Sequence, residues 1–332
     1  MTRDSQLPNL SPPTAEAPTE KDFIAVFSRV FHIPQKPLLS GSEFDDCAAV
    51  RLDSFCRSLS EESLTFSTDS VRASSDFPIQ MTSWQKGWMA AAVNLSDLAA
   101  MGSKPVAFLF SAGLPAGFTL DEAESLAQGI QDCVSLFGAE VIGGDTEFSG
   151  ELTITGTVIG LSENKHLILR RNAEPGDLLC VTGAPGAAGV ALSLLLNEFE
   201  TDFPVSDSFF KHLTEPFPRI FEGMLLSKSG AVTSMMDTSD GLASSIYELS
   251  SLSGVGFEID ELNLLQAADP EALKILEKRV QCGHALNNGQ PERLTDAKTL
   301  LLQEALYTGG DYELLFTVSP GRLKDVEEIF QK

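Results

Sequence analysis

The sequence predicts two domains, the first of α/β class, on three observations. Its 332 residues suffice for two ordinary domains. Between residues 64 and 161, strand-like stretches alternate with helix-period stretches, the pattern of an α/β layer structure. A break near residues 162–165 then separates an expected domain at 21–162 from a second at 163–332. Residues 1–20 are polar, carry Pro8, Pro12, Pro13 and Pro18, and lack the apolar run of a signal peptide, so they read as a flexible tail.

The elements follow in order. Residues 64–68 form a strand that ends at Asp69. A helix at 83–101 places Trp84, Trp88, Ala91, Leu95 and Leu98 on one face and Asn94, Asp97 and Met101 on another, with Gly102 as its stop. Asp97 falls in the last turn, where the helix dipole disfavours an anion, so a positive group is expected beside it. Residues 106–114 form a strand. Thr119-x-x-Glu122 is a capping box that starts a helix running to Phe137. A short strand at 139–142 delivers Gly143-Gly144-Asp145, read either as a close ligand approach or as a plain turn. Residues 152–161, rich in Thr, Ile and Val, alternate as a strand should.

In the second half, a strand at 177–182 leads into Gly183-Ala184-Pro185-Gly186-Ala187-Ala188-Gly189. That run reads as a strand–turn–helix rather than a dinucleotide loop, since no acidic ribose partner follows. No Gly-Lys-Ser or Gly-Lys-Thr phosphate loop occurs. A strand at 231–236 ends at Asp237, and Ser239 or Asp240 can cap a helix at 241–252. Further strands are expected at 255–259 and 312–318, and a last helix at 322–330.

Composition excludes several classes. The formal charge of −24, from 47 acidic and 23 basic residues, argues against a nucleic-acid binder. Five scattered Cys without a C-x-x-C pair suggest neither a disulfide framework nor a zinc site, and reduced thiols fit a cytoplasmic protein. The most apolar stretch, 87–115, is interrupted by Asp97, Lys104 and Pro105 and is no membrane span.

The chemistry lies in acidic stations set in apolar or Gly-rich surroundings: Asp45-Asp46, Thr68-Asp69, Asn94-Leu95-Ser96-Asp97, Gly143-Gly144-Asp145-Thr146 and Asp237-Thr238-Ser239-Asp240-Gly241. Carboxylates gathered at a packed surface repel one another unless compensated. A hard divalent cation with a polyphosphate resolves that repulsion, because Mg²⁺ takes oxygen ligands and sits between a few carboxylates and substrate phosphates.

These stations, in order, resemble the thiamine-monophosphate kinases. The resemblance extends to Ala92-Val93-Asn94-Leu95-Ser96-Asp97-Leu98-Ala99-Ala100-Met101-Gly102, to Arg171-Asn172-Ala173-Glu174-Pro175-Gly176-Asp177, to His212-Leu213-Thr214-Glu215-Pro216-Phe217-Pro218-Arg219, and to Gly310-Asp311-Tyr312-Glu313-Leu314-Leu315-Phe316. It runs from about Phe23 to Phe316. It implies the two-domain fold of the aminoimidazole ribonucleotide synthetase and selenophosphate synthetase superfamily. That fold is an α/β plus α+β arrangement, with the N-terminal sheets of a homodimer pairing into a barrel. It also implies transfer of the γ-phosphoryl group of ATP to thiamine monophosphate, giving thiamine diphosphate. Carried over residue by residue, Asp46, Thr68, Asp69, Asp97, Asp145, Asp237 and Asp240 match Mg²⁺-binding positions. Gly144, Asp145, Arg170 and Ser239 match ATP contacts. Asp97, Asp145, Asp240 and Arg170 are the expected catalytic set.

The acceptor end departs from the family pattern. Asp76 stands where the family has a substrate-contacting His, and Gly310 stands where it has a Glu. The family's C-terminal aromatic is not found before Lys332, and its Gly-x-Gly-Asp-Asp reads Gly41-Ser42-Glu43-Phe44-Asp45-Asp46. Two alternatives stay open on the sequence: phosphoryl transfer to a different phosphorylated acceptor, and an ATP-binding homodimer without an acceptor site.

Overall fold

The computed structural model describes residues 61–196, 201, 203–281 and 296–330, and the backbone of two short strands at 38–40 and 48–51. The expected tail and Asp46 lie outside the described residues.

The first half builds a six-stranded sheet in the order β1-β2-β3-β6-β4-β5. Its strands are β1 (Leu38–Ser40), β2 (Ala48–Arg51), β3 (Glu62–Arg72), β4 (Lys104–Pro115), β5 (Glu140–Ser149) and β6 (Thr153–Glu163). Neighbours are antiparallel except β4 and β5, which are parallel. Parallel neighbours need a crossover, and α2 (Leu120–Leu136) supplies it. The capping box of α2 forms as expected: Thr119 Oγ1 accepts from the Glu122 amide, and the Glu122 carboxylate accepts from the Thr119 amide.

Helix α1 (Ser83–Ala100) covers the sheet and is buried along most of its length. It packs on α2 with backbone against backbone. A Cβ on Gly87 would stand 2.0 Å from the Leu126 carbonyl oxygen, and one on Gly129 would stand 1.9 Å from that of Trp84. Neither obstacle is a flexible side-chain end, so the helices must part to admit a methyl group. Gly129→Ala is therefore expected to lower stability by about 2 kcal/mol or more, despite the better helix propensity of Ala. A urea midpoint equal to that of the wild type would refute the close approach.

The second half carries a three-stranded sheet in the order β7-β9-β8: β7 (Leu178–Val181), β8 (Val232–Asp237) and β9 (Leu314–Val318), with β9 antiparallel to both neighbours. Helices α3 (Ala187–Leu195), α4 (Asp207–Thr214), α5 (Ile220–Ser229), α6 (Leu242–Ser253), α7 (Glu261–Ala267), α8 (Pro270–Gln281), α9 (Ala297–Tyr307) and α10 (Leu323–Phe330) surround it. The two halves share one apolar core. Met235, Leu314 and Phe316 join the cluster that holds Leu95, Leu98 and Phe108. Polar contacts reinforce the junction: Trp88 Nε1 donates to the Pro216 carbonyl at 2.8 Å, and Gln85 Nε2 to Glu215 at 3.1 Å.

Four expectations change. The strand holding Asp69 continues to Arg72, because β6 pairs with it along its whole length. The strand before Gly143 does not turn there but runs to Ser149, held by its parallel partner β4. Residues 255–259 are not a strand: the alternation seats Phe257 against the core without a ladder partner. The last strand starts at Leu314 rather than Tyr312, because Tyr312 has φ +51°.

Candidate active site

Helix α1 ends in one acidic station, and three residues near its end, Asn94, Ser96 and Asp97, reach toward two others. Asn94 is fully buried; its Oδ1 accepts from the Asp69 amide at 2.9 Å and its Nδ2 donates to the Ala90 carbonyl at 3.0 Å. Ser96 Oγ donates to Asp237 Oδ2 at 2.6 Å. Asp97 accepts from the Ser67 hydroxyl on β3. The last turn of α1 carries no basic residue, so the positive group expected beside Asp97 does not come from its own helix.

Asp237 is the end of β8 and is 2% exposed. Its Oδ1 accepts from Ser239 at 3.0 Å and its main-chain carbonyl from Ser245 Oγ at 3.0 Å. The turn 237–241 is locked to the loop before β9. Thr238 and Glu313 exchange bonds, the Thr238 amide to the Glu313 carbonyl at 2.9 Å and the Glu313 amide to Thr238 Oγ1 at 3.1 Å. The Gly310 amide donates to the Ser239 carbonyl at 2.9 Å. Gly310 has φ +100°, a region an L side chain rarely enters.

That loop carries Tyr312, to which the sequence alone assigns no role. Its ring packs partly buried on the shared core. Desolvation first, and then the charges of Asp69, Asp237, Asp76 and Asp97, push its phenol well above the ordinary range. Carboxylates of both halves thus act on one phenol. Its left-handed backbone is a strained conformation in the loop before β9.

The remaining expected residues stand as follows. Thr68 Oγ1 donates to the Gly156 carbonyl at 2.7 Å. Asp76 closes the turn after β3, accepting from the Arg72 amide at 2.8 Å. Arg170 pairs with Glu248 at 2.9 Å. Asp240 is exposed. Gly144 and Asp145 are exposed on β5, and Asp145 aligns through Ser111 and Thr155 with Ser70. It is three strands from β3, roughly 14 Å at ordinary strand spacing.

Behind the loop, Glu313 is 5% exposed and receives Arg219 in a two-pronged pair, with Nε to Oε2 at 2.7 Å. Thr182 Oγ1 donates to the same carboxylate at 2.6 Å. Asp311 caps α3, accepting from the Gly186 and Ala188 amides at 2.7 and 3.0 Å. Burial outweighs those bonds and pushes its carboxyl up to about 7. The folded chain therefore holds this proton more tightly than the unfolded one. The resulting stability is full below about pH 4 and is lost as pH rises through about 7. Asp311→Asn lacks this loss, so its unfolding free energy relative to the wild type is expected to rise between those pH values. A difference that is flat with pH in urea titrations would contradict this.

The site's donors are carboxylate and hydroxyl oxygens, which suit Mg²⁺ rather than a soft metal. Among the described residues, no three His, Cys, Asp or Glu side chains form a ready cage for a metal ion. Mg²⁺ does not require one, since it keeps several waters and is bound by one or two carboxylates plus phosphates.

Two family models cover the chain: AIR synthase related protein, N-terminal domain, at residues 44–162, and AIR synthase related protein, C-terminal domain, at 174–332. The chain is thus an AIR synthase-related protein with that group's two-domain fold. Thiamine-monophosphate kinase of Methanospirillum hungatei is 37% identical over 286 residues, 85% of this chain and 82% of that one. The solved thiamine monophosphate kinase of Aquifex aeolicus superposes with TM-score 0.71 at 25% identity, covering 90% of this chain and 88% of that one. The structure described as AaThiL complexed with AMPPCP and TMP gives TM-score 0.74 at 26% identity, covering 91% and 86%. The chain belongs to the thiamine-monophosphate kinase family.

Proposed function

We propose that this chain transfers the γ-phosphoryl group of ATP to thiamine monophosphate, giving thiamine diphosphate and ADP. The observation that carries the reading is that the end of α1 ties stations of both halves together: Asn94 holds the Asp69 amide, Asp97 takes the Ser67 hydroxyl, and Ser96 donates to Asp237. Its support from relatives is that the matched AaThiL structure holds a nucleotide analogue and TMP together.

Phosphoryl transfer asks the protein mainly for position and charge neutralisation. Asp69, Asp97 and Asp237 would hold Mg²⁺, with Thr68, Asp145, Asp240 and Asp46 as further oxygen donors. When bound, Mg²⁺ neutralises charge on the phosphates. The protein residues supply the frame. Asn94 fixes the backbone at Asp69, Ser67 orients Asp97, and Ser239 orients Asp237. Arg170, on the Glu248 pair, and the exposed backbone at Gly144 serve the nucleotide. A phosphate oxygen of the acceptor attacks the γ-phosphorus, and the bond from that phosphorus to the β–γ bridging oxygen breaks. A phosphate monoester with a second pKa near about 6 is largely dianionic at neutral pH, so no protein base is needed. Asp76 and Gly310 face the acceptor end in this reading.

The active form is a homodimer in this reading. Edge strand β5 exposes Ile142 (56%) and Phe148 (92%), an apolar edge of the kind a second copy covers. Pairing there makes the barrel and places Gly144 and Asp145 at the contact. Among the described residues no helix is long and apolar enough to cross a membrane. The test is conversion itself: the chain with ATP, Mg²⁺ and thiamine monophosphate should yield thiamine diphosphate, read by chromatography.

A further inference from the structure

We infer that Ser96 is a positioning residue for phosphoryl transfer, acting through Asp237 across the junction between the two halves. Ser96 is fully buried on α1, and Asp237, 2% exposed, ends β8, 141 residues away. Their bond of 2.6 Å is in the short range of charge-assisted O–H···O⁻ bonds, which are about twice as strong as neutral ones. Ser239 takes the other carboxylate oxygen at 3.0 Å, so both oxygens of Asp237 are tied and the plane of the carboxylate is set. The Ser239 tie is local, two residues along the chain, and cannot report where the first domain stands. The Ser96 tie can. Asp97, the next residue, points to the same site through Ser67. One turn of α1 therefore fixes the spacing between a carboxylate of the first half and a carboxylate of the second. Partners of this kind, which orient a ligand without touching the metal, typically change metal affinity or activity by about 10–100-fold when removed.

The inference rests on the reading of Asp237 as a Mg²⁺-side carboxylate, and its test separates the two. AMPPCP binding to the full chain is measured by calorimetry as Mg²⁺ is raised, beside steady-state kinetics. Ser96→Ala should need about 10–100-fold more Mg²⁺ for half-maximal AMPPCP binding and should lose kcat, with circular dichroism unchanged. In an Asp237→Asn background the same change should shift the Mg²⁺ dependence little, because the partner charge is already gone. Ser234→Ala is the control: it removes an equally buried hydroxyl on β8, bonded to Thr317 at 2.9 Å and not to Asp237. It should lower stability without moving the Mg²⁺ requirement. Equal Mg²⁺ shifts in Ser96→Ala and Ser234→Ala would reduce Ser96 to a packing residue and overturn the inference. An unchanged requirement in Ser96→Ala, with Asp237→Asn defective, would overturn it too. Wild-type AMPPCP binding indifferent to Mg²⁺ would overturn the reading beneath it.

Discussion

Asp97→Asn is expected to lower kcat by about 10³-fold while the melting temperature stays within a few degrees of wild type. The side chains have nearly the same shape, and an amide oxygen still accepts the bond from Ser67. What is lost is the charge that the site is built to present. Asp97 lies on the last turn of α1, whose backbone carbonyls already make that end negative. The dipole disfavours a charge there and the amide keeps the Ser67 bond, so removing the charge is expected to cost little stability. Activity and stability should therefore part company. The measurement is a pair: turnover by product chromatography and thermal unfolding on the same preparation. Near-normal turnover would remove Asp97 from the site, whatever its effect on folding.

Glu313→Ala should do the reverse, costing about 3 kcal/mol of stability. It strips the partner from Arg219, whose side chain is 26% exposed, and leaves Thr182 without its acceptor. The cost falls at the lower end for broken buried pairs because Arg219 retains Glu222 at 3.5 Å and some water. The backbone of Glu313 also locks Thr238, so the loosened loop should reduce turnover through Asp237. Replacing Arg219 and Glu313 together should cost less than the sum of the single changes, since neither then leaves the other unpaired. A Glu313→Ala urea midpoint equal to wild type would show the pair to be energetically idle.

Much of this was legible in the sequence because local rules sufficed. Helix α1 was expected at 83–101 and runs Ser83–Ala100, with Thr82 completing a capping box and Met101 the C-cap. The Thr119 capping box and the Asp237 strand end were equally local. Where long-range pairing decided, local reading fell short. Gly143-Gly144 read as either a close ligand approach or a turn, and β4 holds it in extended register. The alternation at 255–259 looked like a strand, yet among the described residues no neighbour pairs with it. The site divides in the same way. Carboxylates advertise themselves by their cost in apolar surroundings, so Asp69, Asp97 and Asp237 were found. Ser67 and Ser96 are ordinary helix and strand residues in one dimension and acquire meaning only when the fold sets a carboxylate beside each. Tyr312 was hidden for another reason: a strand pattern through 312–318 concealed its left-handed turn.

The central claim is that carboxylates from both halves of the chain form one phosphoryl-transfer site. Its most direct test is product formation from ATP, Mg²⁺ and thiamine monophosphate by wild type, Asp97→Asn and Asp237→Asn side by side. The account predicts thiamine diphosphate and ADP in equal amounts from wild type and near-complete loss in both variants. Wild type that binds AMPPCP with Mg²⁺ yet forms no thiamine diphosphate, or variants that turn over as it does, would contradict it.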